Sequence, residues 1–251
     1  MSDTIERFSN RVDNYVKFRP GYPSEVLQLF RYEMGLQPDW IIADVGSGTG
    51  ISAKMFLENG NQVFGVEPNE TMRSAGEDFL AGFPKFRSIS GTAENTTLLD
   101  GSVDLVVAAQ AFHWFDPEKA RAEFKRILKE NGFVALIWNE RQLNTAPFLA
   151  EYEHFLLKFA NDYTKVRHEN IDEEKLFEFF QQEFRRATFK NTQIFDFDGL
   201  KGRVLSSSYM PIEINESYEP MIAELRVLFA KHAENGKIEL SYDTAVFYSH
   251  L

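Results

Sequence analysis

The chain contains no cysteine. That absence excludes a disulfide scaffold, a thiolate-ligated zinc or iron–sulfur centre and a cysteine nucleophile. Histidine is sparse: His113, His154, His168, His232 and His250 are scattered, and no two stand four apart. An imidazole metal site is therefore not expected. Positive charge is also short, 27 Lys and Arg against 38 Asp and Glu, for a net charge of −11. An acidic surface repels phosphate backbones and anionic lipid, and no basic stripe offsets it, so neither nucleic acid nor membrane is an expected partner. No apolar run approaches the roughly 20 residues needed to span a bilayer. The opening stretch, MSDTIERFSNRVDNY, lacks the apolar core of a secretory signal. A cytoplasmic location is the expectation.

Aromatic side chains, by contrast, are plentiful, with 24 Phe among 251 residues that are 43% hydrophobic and 26% charged. Such a chain can build a large core, and its length suits one domain over 1–251 with appended segments. Between Trp40 and Asn139, short apolar runs alternate with amphipathic segments. Strands are predicted at 40–45, 62–67, 86–90, 103–109 and 133–138. Helices are predicted at 51–59, 70–80 and 117–128, the last with Asp116 as N-cap and Pro117 at its first position. Strands apolar on both faces and separated by helices predict a parallel sheet covered on both sides. Beyond Trp138 the pattern changes to helices at 148–159 and 173–184, a β-rich stretch at 187–197, a helix at 218–233 and a last strand at 243–249. The first 24 residues, rich in aromatics and arginine, read as a lead-in segment that packs on the rest.

Four motifs fall where strand ends meet loops, the ligand edge of an open α/β sheet. The first is Asp44-Val45-Gly46-Ser47-Gly48-Thr49-Gly50, between a strand and a helix. Glycines there permit a tight turn and close backbone approach to a ligand, although a plain strand-to-helix turn uses them too. Its spacing is G-x-G-x-G, and Ile51 occupies the position where a dinucleotide fingerprint needs a small residue, which argues against NAD or FAD. The second is Glu67, at the end of the next strand and 17 residues after Gly50. A carboxylate there can accept both hydroxyls of a ribose, or it can be a solvated strand end. The third is Gly91-Thr92-Ala93-Glu94. The fourth is the run from Asp104 to Phe115, in which Phe112, Trp114 and Phe115 suit core packing and His113 suits either a structural or a substrate-side role.

Other stretches carry less. Asp196-Phe197-Asp198-Gly199 begins like a calcium loop, but Lys201 stands where the required glycine should be. Ser206-Ser207-Ser208 lacks the context of a hydrolase nucleophile. Glu169 to Lys175 reads as a solvated helix start.

Taken in order, D-V-G-S-G-T-G, V-E-P-N, G-T-A-E, V-D-L-V-V-A-A-Q-A-F-H-W-F-D and I-L-K-E-N-G-F-V-A-L-I-W-N resemble the class I S-adenosylmethionine-dependent methyltransferases. Within these the order is most similar to the type 11 small-molecule branch that includes trans-aconitate methyltransferase-like proteins. The likeness covers about Tyr15 to Arg141. Two positions depart from the pattern: Glu130-Asn131-Gly132 replaces the usual Pro-Gly-Gly turn, and Thr92 stands where many members have an Asp for the adenine amino group.

The resemblance implies a Rossmann-like seven-stranded α/β sheet, mostly parallel with one antiparallel strand, helices on both faces and a helical cap. It implies S-adenosyl-L-methionine as cofactor. Asp44 and the backbone of Gly46, Ser47 and Gly48 would hold the methionine part, and Glu67 the ribose, with Pro68 bordering the adenine. Thr92, Ala93 and Glu94 would flank the adenine, and Gln110 would lie beneath the sulfonium. Residues 1–24 would form a lid, with Tyr15 and Arg19 suited to binding the cofactor's carboxylate and to closing the pocket, and about 140–185 a cap that helps form the acceptor site. His113 or Tyr15 would act as base for an acceptor that must lose a proton. A carboxylate acceptor would need no base and could be oriented by Arg19 or Arg141. The implied reaction is in-line methyl transfer to an O, N, C or S atom of a small molecule. Rival readings are a catalytically silent adenosyl-binding protein and a nicotinamide-dependent oxidoreductase.

Overall fold

The computed structural model describes residues 12–161 and 173–251. The N-terminal arm is a short helix, α1 (Val12–Phe18), followed by α2 (Ser24–Leu29), which runs into one wide π turn over Phe30–Met34. Alternation then follows: β1 (Ile41–Val45), α3 (Ile51–Glu58), β2 (Gln62–Val66), α4 (Glu70–Phe79), β3 (Phe86–Ile89), β4 (Val103–Ala109), α5 (Pro117–Ile127) and β5 (Leu128–Arg141). The remainder is α6 (Pro147–Phe159), α7 (Glu173–Phe180), β6 (Arg185–Phe195), α8 (Phe197–Leu205), α9 (Tyr218–His232) and β7 (Ile238–His250).

All seven strands share one sheet in the order β3-β2-β1-β4-β5-β7-β6. β1 to β5 pair in parallel, and β7 lies antiparallel to both β5 and β6. The seven-stranded, mostly parallel architecture is the expected one. Its central strands are apolar on both sides because helices cover both faces; in β4 every residue but Asp104 is buried. Asp104 accepts the Ile41 N–H at 2.7 Å and pairs with Lys129 at 2.9 Å, so the one charged residue fastens strand starts together.

One face packs Phe112, Phe124 and Trp138 against Leu176, Phe179 and Phe180 of α7. The other packs Phe30, Phe56 and Leu80 over the same strands. A third cluster joins α6, α8 and α9 to the β6–β7 edge through Tyr152, Leu200, Leu225 and Tyr242. The chain order turns back between β1 and β4, which opens a crevice at the C-terminal strand ends.

Several local readings change, among them the last strand, which begins at Ile238 and not at 243. β5 starts at Leu128, earlier than expected, because its first residue already pairs with Val103 before a register shift. α7 ends at Phe180, and β6 begins at Arg185. Helix α8 was not expected at all. Its sequence, FDGLKGRVL, holds two glycines and is a poor helix former. Burial overrides that weakness: Leu200 and Val204 are fully buried, and Asp196 caps the helix by accepting the Gly199 N–H at 2.8 Å. The acidic string that resembled the start of a calcium loop is that cap. Most of the run Glu169 to Lys175 lies outside the described residues, as do 1–11 of the expected lid and 162–172 of the expected cap. Among the described residues, no helix is long and apolar enough to cross a membrane.

Candidate active site

A cavity of about 300 Å3 opens at the crevice. Its floor is the glycine turn after β1, Glu67 to Asn69 after β2, Thr92 to Glu94 after β3, the end of β4 through Phe115, and Asn139 to Arg141 at the end of β5. Every expected site residue lines it except Asp44, which lies fully buried behind the turn.

Gly46 and Gly48 have φ values of +70° and +54°, in the left-handed region that side chains avoid. The turn therefore projects backbone, not side chain, toward the cavity. Gly48 donates its N–H to Glu67 Oε2 at 2.9 Å, and Asn69 donates to Glu67 Oε1 at 2.8 Å. Glu67 thus ties the first two loops together, a structural duty the sequence did not reveal. Burial raises its pKa, against the pull of those two amides and of Arg73. Each carboxylate oxygen keeps a second lone pair for a ligand hydroxyl.

Asp44 accepts the Ser52 hydroxyl on Oδ2 at 2.6 Å. Burial pushes its carboxyl up to about 7, the Ser52 hydroxyl and Ala53 amide pull it back, and the Glu67 charge adds to the rise. Its Oδ1 and the Gln110 Oε1 are buried acceptors without a hydrogen-bond partner among the described residues. Gln110 is also held at φ +58° while its N–H bonds Ile137 O at 2.8 Å. Unsatisfied buried acceptors and a strained residue at one strand end fit a site built to receive a ligand bearing donors or positive charge.

The loop after β3 is stapled from below. Thr96 donates its N–H and hydroxyl to Glu123 Oε1 at 2.7 and 2.5 Å. Burial pushes Glu123 up, but its bonds from Arg126 and Thr96 outweigh this and hold it at about 2. Glu94 Oε1 accepts the Asp116 N–H at 3.0 Å, joining this loop to the start of α5. Thr92 and Asn95 close a small bridge. His113 sits in a single 3-10 turn, Phe112–Trp114, with its ring 4.7 Å from that of Trp114. It is the only histidine lining the cavity among the described residues.

The arm supplies the roof with Tyr15, Arg19, Pro20 and Tyr22. Arg19 stacks over Tyr15 at 4.9 Å. Gly21 O accepts from Asn139 at 3.1 Å and from Asn191 at 2.8 Å, and Phe18 O accepts from Gln193 at 3.1 Å. Residues that sequence reasoning did not single out complete the far wall: Arg203, Ser208, Tyr209 and Tyr242. They come from α8, the loop after it and β7, which the expected cap did not include. No residue of α7 lines the cavity; its phenylalanines cover the sheet instead. Arg141, expected to be available for an acceptor, is ion-paired with Glu153.

Residues 43–136 match the sequence family described as "Methyltransferase domain". An uncharacterized methyltransferase of Mycobacterium tuberculosis is 35% identical over 141 residues, covering 53% of this chain and 52% of the relative. The match thus spans about half the length of the mycobacterial protein. An uncharacterized methyltransferase of Schizosaccharomyces pombe is 26% identical over 250 residues, 96% of each chain. Among solved structures, a protein provisionally described as a type II methyltransferase from Anaeromyxobacter dehalogenans superposes with a TM-score of 0.65 at 20% identity, covering 93% of this chain and 98% of that one. The seven-stranded, mostly parallel fold is the one the two structures share, and residues 43–136 match a methyltransferase domain.

Proposed function

We propose that the chain transfers a methyl group from S-adenosylmethionine to a small molecule bound between the glycine turn and the α8–β7 wall. The observation that carries this reading is the convergence on one cavity of the glycine turn, Glu67, the Thr92–Glu94 loop, Gln110 and the Tyr15–Arg19 arm. When bound, the cofactor supplies a methyl carbon made electrophilic by its sulfonium. The remaining work falls to the chain. Glu67 accepts the ribose hydroxyls on its spare lone pairs, and the Thr92–Glu94 loop borders the adenine together with Pro68. The turn from Gly46 to Gly48, with Asp44 behind it, holds the amino-acid tail. Gln110 Oε1 faces positive charge as an acceptor. The arm excludes water and holds the reacting groups in line. An acceptor O–H or N–H gives up its proton as the new bond forms, and His113 is the base for that proton. The trans-aconitate methyltransferase-like branch is supported by motif order alone.

Calorimetric titration tests the reading. S-adenosylmethionine and S-adenosylhomocysteine should bind at about micromolar Kd, near −8 kcal/mol, with no heat from NAD. Tighter binding of NAD than of either adenosyl compound would overturn it.

A further inference from the structure

Asp44 lies fully buried at the end of β1, between Gly65 of β2 and Val107 of β4 in the sheet register. Among the described residues, no Lys, Arg or His makes a salt bridge with it. Helix α3 gives it the Ser52 hydroxyl at 2.6 Å and the Ala53 amide, while Lys54 of the same helix pairs with Glu58 at 3.6 Å. Just past β2 stands Glu67, a second buried acid, and Arg73 of α4 donates to the Glu67 backbone carbonyl at 3.1 Å. The arm adds Tyr22, a phenol raised by burial first and then by Tyr15 and Asp44. Strand β4 adds only the apolar Val107. Asp44 Oδ1 meets no donor among the described residues. A carboxylate so placed has lost its hydration and gained neither a counter-charge nor a full set of donors, and such a group holds a proton instead. Burial accordingly pushes it up to about 7.

We propose that Asp44 carries a proton in the free protein and gives it up when the cofactor binds, so that the site responds to the ligand's positive charge and to pH together. This rests on the methyltransferase reading above. Gly46 and Ser47, which closely follow Asp44, line the cavity, and so does Ser52. The Ser52 hydroxyl donates to Asp44 and keeps its own lone pairs for a donor on the cavity side, which links the buried acid to the ligand. A positive charge brought to the turn favours the ionised carboxylate. The Asp44 O–H bond then breaks, its electron pair stays on the carboxylate, and the proton passes to solvent. Below about pH 7 the free site holds that proton, so binding must displace it. Affinity therefore falls as pH falls, by at most about tenfold per unit. Above that value the carboxylate is already ionised and the dependence ends. S-adenosylmethionine carries one more positive charge than S-adenosylhomocysteine, so it gains more from an ionised Asp44 and loses more in acid. The demethylated product thus competes better as pH falls, and acid slows turnover by retaining it.

The test is calorimetry on the full chain with S-adenosylhomocysteine, at pH 6 and pH 8.5, in buffers of low and high ionisation enthalpy. The dependence of the heat on the buffer counts the protons released. Wild type should release about one proton per site at pH 6 and close to none at pH 8.5, and its Kd should rise at least about fivefold from pH 7.5 to pH 5.5. Asp44→Asn has no such proton to give, and at pH 6 it should release at most about half as many as wild type. If Asp44→Asn does not fold, infrared difference spectra carry the attribution. Binding to wild type should remove a protonated-carboxyl band, and Ser52→Ala, which takes away the donor on Asp44, should shift that band. The proposal fails if wild type releases no proton at pH 6, or releases as many at pH 8.5. It fails if Asp44→Asn releases more than about half as many, which would assign the proton to His113 or Glu67. In the infrared comparison it fails if the band is absent or unmoved. Failure of wild type to bind S-adenosylhomocysteine at pH 8.5 would instead remove the underlying methyltransferase reading.

Discussion

Glu67 carries a structural duty beside its proposed ribose role, and this changes how its substitution must be read. Sequence alone suggests that Glu67→Ala removes ribose contacts and nothing else. The structure shows that it also orphans the amides of Gly48 and Asn69, each worth roughly 1–3 kcal/mol when left buried without a partner. Glu67→Gln is no gentler by necessity, because one amide oxygen cannot replace two. We expect both variants to melt at lower temperature than wild type as well as to bind the adenosyl ligand at least about tenfold less tightly. An unchanged melting temperature would contradict the structural half of that statement. At Gly48 the backbone conformation, and not ligand contact alone, decides what a substitution does. At φ +54°, a Val at this position strains the backbone before it touches any ligand. Gly48→Ala is the better probe, since its Cβ would meet only the flexible end of Met72, at 3.3 Å. It should cost about 1–2 kcal/mol in chemical denaturation and weaken the cofactor. Asp44 supplies a pH signature. Its carboxyl is pushed up to about 7 in the folded protein, against an ordinary value of 3.8. Between those values the folded state holds a proton that the unfolded state has released. Stability therefore falls as pH rises from about 4 to 7, by an amount on the order of a few kcal/mol. Asp44→Asn should flatten that slope in urea melts at pH 5 and pH 8; an undiminished difference would contradict the assignment.

Among the elements, α8 sets the shape of the far wall. Gly202 leaves room for Phe18 of the arm, and a Cβ there would lie 2.1 Å from the Phe18 ring. Gly202→Ala should thus lift the arm from α8 and raise the Kd of S-adenosylhomocysteine several-fold, with the far-ultraviolet circular dichroism unchanged. Wild-type affinity would mean that the arm does not close the site. The contrast between elements also explains what could be read in advance. β1, β2, β4 and β5 announce themselves because apolar runs between helices have one stable arrangement. The glycine turn and Glu67 are legible because they sit at fixed distances from those runs. α8 is hidden because its local propensity argues against a helix and only burial of Leu200 and Val204 makes one. With it was hidden Arg203, whose neighbours come from residues 206, 207 and 242. No local pattern marks an arginine that will be buried among hydroxyls.

For the molecule as a whole, the sheet order creates the crevice, and three distant stretches of chain finish it. The loops after β1, β2 and β3 lie on one side, and α8 with β7 on the other. The arm spans the gap through bonds from Asn139, Asn191 and Gln193. In the proposed reading, a nucleoside binds at one end of this architecture and the acceptor at the wall on the other. The central claim is that Glu67 marks the ribose end of an adenosyl site. It is tested most directly without altering the protein, by comparing the calorimetric affinities of S-adenosylhomocysteine and its 2′,3′-dideoxy analogue. Two charge-assisted bonds to a carboxylate, each worth roughly 1.5–3 kcal/mol, predict that the analogue binds wild type at least about tenfold less tightly. Equal affinity for the two would contradict the account.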